Sequence, residues 1–147
     1  MSILFSKQCE YALQAVLYLA LKKPGEATSI RELTEHLKTP YHFMAKILQD
    51  LGYKGLLKSG KGHNGGFTLA LPAKDITFLH IIEAIDGLNF MNGCVVGFGD
   101  CNDKAPCPLH DKWGPARDAM YKMIVSKSIA QMAKESKKPQ YKNFKKR

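Results

Sequence analysis

Apolar residues recur at helical spacing from about Ser6 to Lys22, where Tyr11, Ala12, Ala15, Val16, Leu19 and Ala20 mark one face and Ser6 stands ready to cap. Pro24-Gly25 ends that helix. Ser29-Ile30-Arg31-Glu32 opens the next with a capping-box pattern, a hydroxyl and a carboxylate spaced to satisfy free backbone donors reciprocally, and it runs to about Lys38. Thr39-Pro40 predicts a restart, with Thr as cap and Pro at the first helical position. A third helix then spans Pro40 to about Tyr53, with Phe43, Ile47, Leu48 and Leu51 facing inward. Two short helices joined by a tight turn and backed by a longer one make a helix-turn-helix.

Leu56-Leu57-Lys58-Ser59 and Phe67-Thr68-Leu69-Ala70-Leu71 flank a glycine-rich tip, which reads as a β-hairpin placed as the wing of a winged helix-turn-helix. The tip also spells Gly60-x-Gly62-x-x-Gly65, but a dinucleotide site needs a helix after those glycines, and Phe67 to Leu71 reads as a strand closed by Pro72. Ile76 to Gly87 is a short amphipathic helix capped by Thr77, with His80 structural or exposed. Leu109, Trp113, Ala116, Met120 and Met123 follow a four-three-four-three spacing, the seam of a helix packing on a partner or on its own core. Gly114-Pro115 predicts a kink or restart there, and Ser126 to Ala133 a last short helix.

One domain, or a small domain with an oligomerisation arm, is what 147 residues allow, which leaves no room for a two-domain enzyme. Glu10 and Gln14 interrupt the apolar stretch Tyr11 to Leu21 and its start, so it reads as neither secretory signal nor membrane span; the expected location is the cytoplasm, where thiols stay reduced. Lys and Arg number 22 against 13 Asp and Glu, a formal charge of +9 that suits a polyanionic partner. Seven basic residues and one acid lie between Lys134 and Arg147, so much of that charge sits in a tail that reads as solvated and disordered.

In the helix-turn-helix itself, Tyr41, His42 and Lys46 lie off the apolar stripe near the start of the third helix, as base-reading groups would. Arg31, Lys38, Lys61, His63 and Asn64 are placed for phosphates or groove edges.

Chemistry concentrates in one short loop, where Cys94, Cys101 and Cys107 are followed by His110 as Cys-Pro-Leu-His. Thiolates are the common ligands of iron–sulfur clusters, Cys107-Pro108 echoes the end of ferredoxin runs, and Gly93, Gly97 and Gly99 let backbone wrap an inorganic core. The cysteines are separated by six and then five residues and lack the short Cys-x2-4-Cys step common in zinc sites, so a cluster is preferred to redox-active thiols, and both to zinc.

Ser6 to Ala20, Lys61-Gly62-x-x-Gly65-Gly66, Ile85-Asp86-Gly87 and the cysteine loop occur here in one order. Together they resemble, over residues 3 to 135, the Rrf-type family of bacterial winged helix-turn-helix transcription regulators, its iron–sulfur-binding IscR- and NsrR-like members in particular. The resemblance implies a homodimer with a long helix crossing the twofold axis and a loop that holds an iron–sulfur cluster. It also implies a fourth ligand, either His110 or Glu10 from the other protomer; Cys9, beside Glu10, is a third option outside the family pattern. Lys61 stands where the wing often has arginine, without arginine's bidentate fork.

The expected fold is mainly α with a small β-hairpin: a winged helix-turn-helix DNA-binding domain at 1–75, a cluster-binding loop and dimerisation helices at 76–135, and a basic tail at 136–147. The expected function is a homodimeric regulator, not an enzyme, that binds a palindromic site on double-stranded DNA, without membrane association. Its DNA affinity would follow an iron–sulfur cluster sensing nitric oxide, redox state or iron–sulfur supply. The alternatives are a cluster-free thiol-based regulator and an iron–sulfur electron-transfer protein.

Overall fold

In the computed structural model, which describes residues 4–62 and 65–136, the first helix is the centre of the fold. Helix α1 (Lys7–Ala20) starts at its N-cap Ser6, whose hydroxyl accepts from the Cys9 N–H. Cys9, Ala12, Leu13, Ala15, Val16, Leu17, Tyr18 and Leu19 are all buried, so α1 is enclosed on nearly every side rather than along one stripe. The helix ends before Lys22, which the apolar pattern includes.

Helix α2 (Ile30–Leu37) is capped by Ser29, which accepts from the Glu32 N–H at 3.1 Å. The expected capping box is only half made, because the Glu32 carboxylate turns to α1 and accepts from Tyr18 Oη and Lys22 Nζ, each at 2.5 Å. Burial pushes the Glu32 carboxyl up, but the bonds from Lys22 and Tyr18 outweigh it and hold the group below its ordinary value. A depressed folded-state pKa contributes stability that is complete above the unfolded value, about 4.3 for glutamate, and is lost as pH falls through the folded one. Glu32→Gln should therefore destabilise the protein at pH 7 and flatten its acid unfolding curve below about pH 4.3; parallel curves for the two proteins would count against this clamp.

Lys38 does not extend α2: it takes a left-handed conformation (φ +53) and closes the helix through its N–H to the Thr34 carbonyl. That residue reverses the chain so that helix α3 (Tyr41–Tyr53) can begin soon after it. Pro40, not Thr39, is the N-cap of α3; Thr39 is buried one position earlier, and its hydroxyl makes no hydrogen bond to the described residues. Met44, Ile47, Leu48 and Leu51 form the buried face of α3, while Phe43 is half-buried with its edge against the Tyr11 ring.

Strands β1 (Leu57–Gly60) and β2 (Gly66–Leu69) pair antiparallel, with Leu57 opposite Leu69 and Gly60 opposite Gly66. Thr28 adds an isolated bridge to β2 by exchanging two backbone hydrogen bonds with Phe67, which ties the hairpin to the segment entering α2. Helix α4 (Phe78–Ile85) follows, and His80 has a structural role: its Nδ1 accepts from the Thr77 N–H at 3.0 Å. After the cysteine loop, helix α5 (His110–Val125) runs unbroken through Gly114-Pro115. The expected restart is absent because Pro115 lies in the second turn, where only the bond to the Asp111 carbonyl is lost, and Gly114 has no Cβ to meet the proline ring. Helix α6 (Ile129–Glu135) packs back on α1, and the Ile129 N–H bonds the Ile76 carbonyl. The result is mainly α with one two-stranded hairpin, as the pattern predicts.

Candidate thiol loop and nucleic-acid interface

Between α4 and α5 the chain forms a knot of short-range bonds. Cys94 N–H donates to the Gly99 carbonyl, Cys101 N–H to the Asn92 carbonyl, and Gly93 bridges Asp100. Gly97 and Gly99, with φ of +91° and +92°, make the reversals this path needs. Trp113 Nε1, on α5, donates to the Gly93 carbonyl at 2.9 Å and fastens the loop to that helix.

The fold gathers the three loop thiols and His110 into two linked pairs, Cys94 with Cys107 and Cys101 with His110. Cys94 and Cys107 share a thiol hydrogen bond. The amide of Phe98 first, then those of Val96 and Gly97, also point at the Cys94 sulfur and lower its pKa, a nest of N–H groups that favours a negative sulfur. Cys107 receives a lowering bond from the Leu109 amide, but desolvation and the proximity of Cys94 and Cys101 together push its pKa up. Cys101 Sγ lies 3.3 Å from His110 Nδ1, while His110 Nε2 lies 2.7 Å from Asp103 Oδ1. A proton on Nε2 directed at Asp103 leaves the Nδ1 lone pair facing Cys101, as in a histidine poised to ligate a metal. Among the described residues, no three His, Cys, Asp or Glu side chains are arranged to hold a single metal ion.

The remaining candidates for a fourth ligand lie on α1. Glu10 is largely buried and pairs with Lys7 at 3.3 Å. Cys9 is fully buried in the core, and burial, with the Asp86 and Glu10 carboxylates adding to it, pushes its thiol to about 12. It is therefore a protonated packing residue. Under native conditions at pH 8, iodoacetamide should label Cys94 and leave Cys9 untouched until the protein is denatured; mass spectrometry showing native labelling at Cys9 would refute that assignment.

Away from the loop, Tyr41, His42 and Lys46 all project from the exposed face of α3, with the Tyr41 ring edge-on to His42 at 5.9 Å between centroids. Arg31 and Lys38 are exposed on α2 and its turn, and Lys61 is exposed at the hairpin tip. His63 and Asn64 lie outside the described residues, as does the tail from 137 onward. The roles of three further residues were not assigned from sequence, although Asp86 stands in the Ile85-Asp86-Gly87 motif. Lys58 is exposed on β1 opposite Thr68 and adds a cation to the wing. Asp103 orients His110, and Asp86 binds the start of α1. Lys58 had a legible signal as a polar position in a strand and Asp86 as part of a motif, but the partners of both aspartates lie far along the chain or across an irregular loop.

Comparison with known proteins identifies the family and the fold. Residues 5–135 match the model of the Rrf2 family, described as iron-dependent transcriptional regulators. A protein of Aquifex aeolicus (strain VF5) named as an HTH-type transcriptional regulator is 34% identical over 113 residues, covering 76% of this chain and 78% of its own. Among solved structures, CymR (YrzC), the global cysteine regulator of B. subtilis, superposes with a TM-score of 0.79 at 22% identity, covering 92% of this chain and 99% of its own. IscR of T. potens superposes with a TM-score of 0.73 at 21% identity, covering 92% and 89%. At such identities these two structures establish the shared fold. No helix among the described residues is long and apolar enough to cross a membrane. The family match over nearly the whole chain sets aside the electron-transfer alternative: this chain belongs to the Rrf2 family of transcriptional regulators.

Proposed function

We propose that the protein is a cytoplasmic, homodimeric DNA-binding regulator whose loop of Cys94, Cys101 and Cys107 holds an iron–sulfur cluster and sets its affinity for a palindromic site. The observation that carries this reading is the loop's donor set: a Cys107 thiol within electrostatic reach of both Cys94 and Cys101, a nest of amides on Cys94, and a histidine oriented by Asp103. A cluster takes its ligands on separate iron atoms, so two linked pairs suit it better than they suit one tetrahedral zinc ion. Cys94, Cys101 and Cys107 would hold it, with His110 or the partner's Glu10 as fourth ligand. Bound there, it would supply a centre that reacts with nitric oxide or oxidants and reports iron–sulfur supply.

Dimerisation fits α5, which buries only Ile124 within the protomer and leaves its N-cap Leu109 and its own Tyr121 and Met123 exposed, Met123 at 57%. Two protomers related by a twofold axis would present two α3 helices and two wings to one duplex. Tyr41, His42 and Lys46 would read base edges, with Arg31, Lys38 and Lys61 at phosphates and the neighbouring tip positions His63 and Asn64 beside them. Lys61→Ala should weaken binding about equally on all duplexes and reduce the slope of log affinity against log salt by about 1 per protomer. A change confined to one base position would instead make Lys61 a base reader.

A cluster-free thiol regulator is the second reading, favoured by the Cys94–Cys107 hydrogen bond and the stabilised Cys94 thiolate. Anaerobic purification, followed by a visible spectrum and assays of iron, acid-labile sulfide and zinc, separates the two. Brown protein with matched iron and sulfide supports the cluster. Colourless protein that takes up neither on reconstitution leaves the thiol reading.

A further inference from the structure

The cysteine loop lies at one end of α4, and the DNA-reading face belongs to α2, α3 and the hairpin. Each end of the loop is fastened. On the α5 side the fastening is Trp113 on the Gly93 carbonyl. On the other side the chain leaves α4 through Asp86-Gly87, where Gly87 takes a left-handed turn at φ +75. The Asp86 carboxylate does not face solvent alone. Its Oδ2 accepts from the Ser6 N–H at 2.9 Å, its Oδ1 accepts from the Ser6 hydroxyl, and the Cys9 thiol also donates to it. Ser6 in turn caps α1, the helix on which α2, α3 and β2 pack.

We propose that Asp86 is the positioning residue that links the state of the cysteine loop to the DNA-reading helices, by gripping or releasing the N-terminus of α1. This rests on the proposed sensing role of the loop. One carboxylate serves both donors of Ser6, so a shift of Asp86 breaks both bonds together and loosens the cap of α1. Ser6 and Asp86 are both exposed, so water takes over the two released Ser6 donors, and of the buried groups only the Cys9 thiol, a weak donor, loses its partner. Such a latch opens at low cost, as a switching contact must. The left-handed Gly87 directly after it gives the loop a pivot through which a rearrangement beyond Leu88 reaches Asp86. At the far side, α1 transmits the change to α3 through their shared core, where Tyr11 meets Phe43.

The test compares DNA affinity in two states of the full-length protein: reduced and treated with chelator, or reconstituted with iron and sulfide, with a peroxide-oxidised sample as a third state. The probe is a duplex selected from a random pool by the wild-type protein. Wild-type affinity should differ between at least two of these states by about fivefold or more, the lower end of ordinary coupling. In Asp86→Asn and Ser6→Ala that ratio should fall to within about twofold of unity, while iron content stays near wild type and the melting temperature falls by no more than about 2–8 °C, the loss that removing an N-cap produces in a chain of this size. Ser6→Thr, which keeps the hydroxyl, should retain the wild-type ratio. If Asp86→Asn fails to fold, the Ser6 pair decides. A full response in Asp86→Asn or in Ser6→Ala overturns the latch and leaves the sensing role standing. A wild-type protein whose affinity is the same in all three states overturns the sensing role, and the latch with it.

Discussion

Gly66→Ala is expected to lower the melting temperature by about 6–12 °C, the shift that about 3 kcal/mol produces in a chain of this size. A Cβ built on Gly66 would sit 2.6 Å from the Thr28 carbonyl oxygen and 2.8 Å from its carbon, both backbone atoms. Thr28 cannot retreat cheaply, because it is fully buried and exchanges hydrogen bonds of 3.0 and 2.8 Å with Phe67. The φ of +147 at Gly66 adds a conformation that side chains rarely adopt. Overpacking costs about 1–3 kcal/mol, and backbone strain costs about 1–3 kcal/mol. Gly62 supplies the control, since its φ is +93 but, among the described residues and apart from its chain neighbours, no atom lies within 4 Å of the place a Cβ would take. Gly62→Ala should therefore cost only the strain, about 1 kcal/mol. Thermal unfolding at one fixed protein concentration checks both; equal losses at the two glycines would show that the close approach of Thr28 does not matter.

Cys101→Ser is expected to abolish the visible absorbance of reconstituted protein and to weaken iron and sulfide retention by at least about 10–100-fold, the cost of losing even a supporting residue at a metal site. Serine preserves the shape of the side chain but ionises far less readily than a thiol, so it offers no thiolate where Cys101 faces His110. DNA affinity should then stay at its iron-free value whatever the iron supply. Cys9→Ser is the matched comparison: its site is in the core and its thiol is held protonated, so the cost should appear as lost stability with iron content unchanged. Undiminished iron and sulfide in Cys101→Ser would remove the loop as the cluster site.

The two glycine-rich regions illustrate how differently sequence constrains structure. Around Gly66, alternating apolar positions and a run of glycines are enough to predict a hairpin, yet Thr28, the residue that makes Gly66 indispensable, lies far upstream with no local pattern to mark it. In the cysteine loop, residue types announce metal or redox chemistry, whereas the pairing of Cys94 with Cys107 and of Cys101 with His110 depends on the turns at Gly97 and Gly99. Thr39-Pro40 marks a true restart and misplaces only the cap, whereas Gly114-Pro115 suggests a restart that is absent. A proline restricts local backbone, but whether it stops a helix depends on how many bonds it removes and what lies beside its ring, and both are settled by position within the helix.

By itself, the sequence determined the order and kind of the elements, because helix and strand periodicity, caps and glycine turns act within a few residues of one another. It also determined the chemical inventory: three loop thiols with a histidine, and a cationic, aromatic start to α3. Tertiary structure alone decided that α1 is enclosed on nearly all sides, that Glu32 clamps α1 instead of completing its own cap, and that Cys9 is an inert core thiol despite its neighbour Glu10. It alone brought Asp86 to Ser6, eighty positions away in the chain. The reason is that burial, desolvation and hydrogen bonds between distant residues depend on which elements pack together, and periodicity specifies the faces that are buried without naming what lies opposite them.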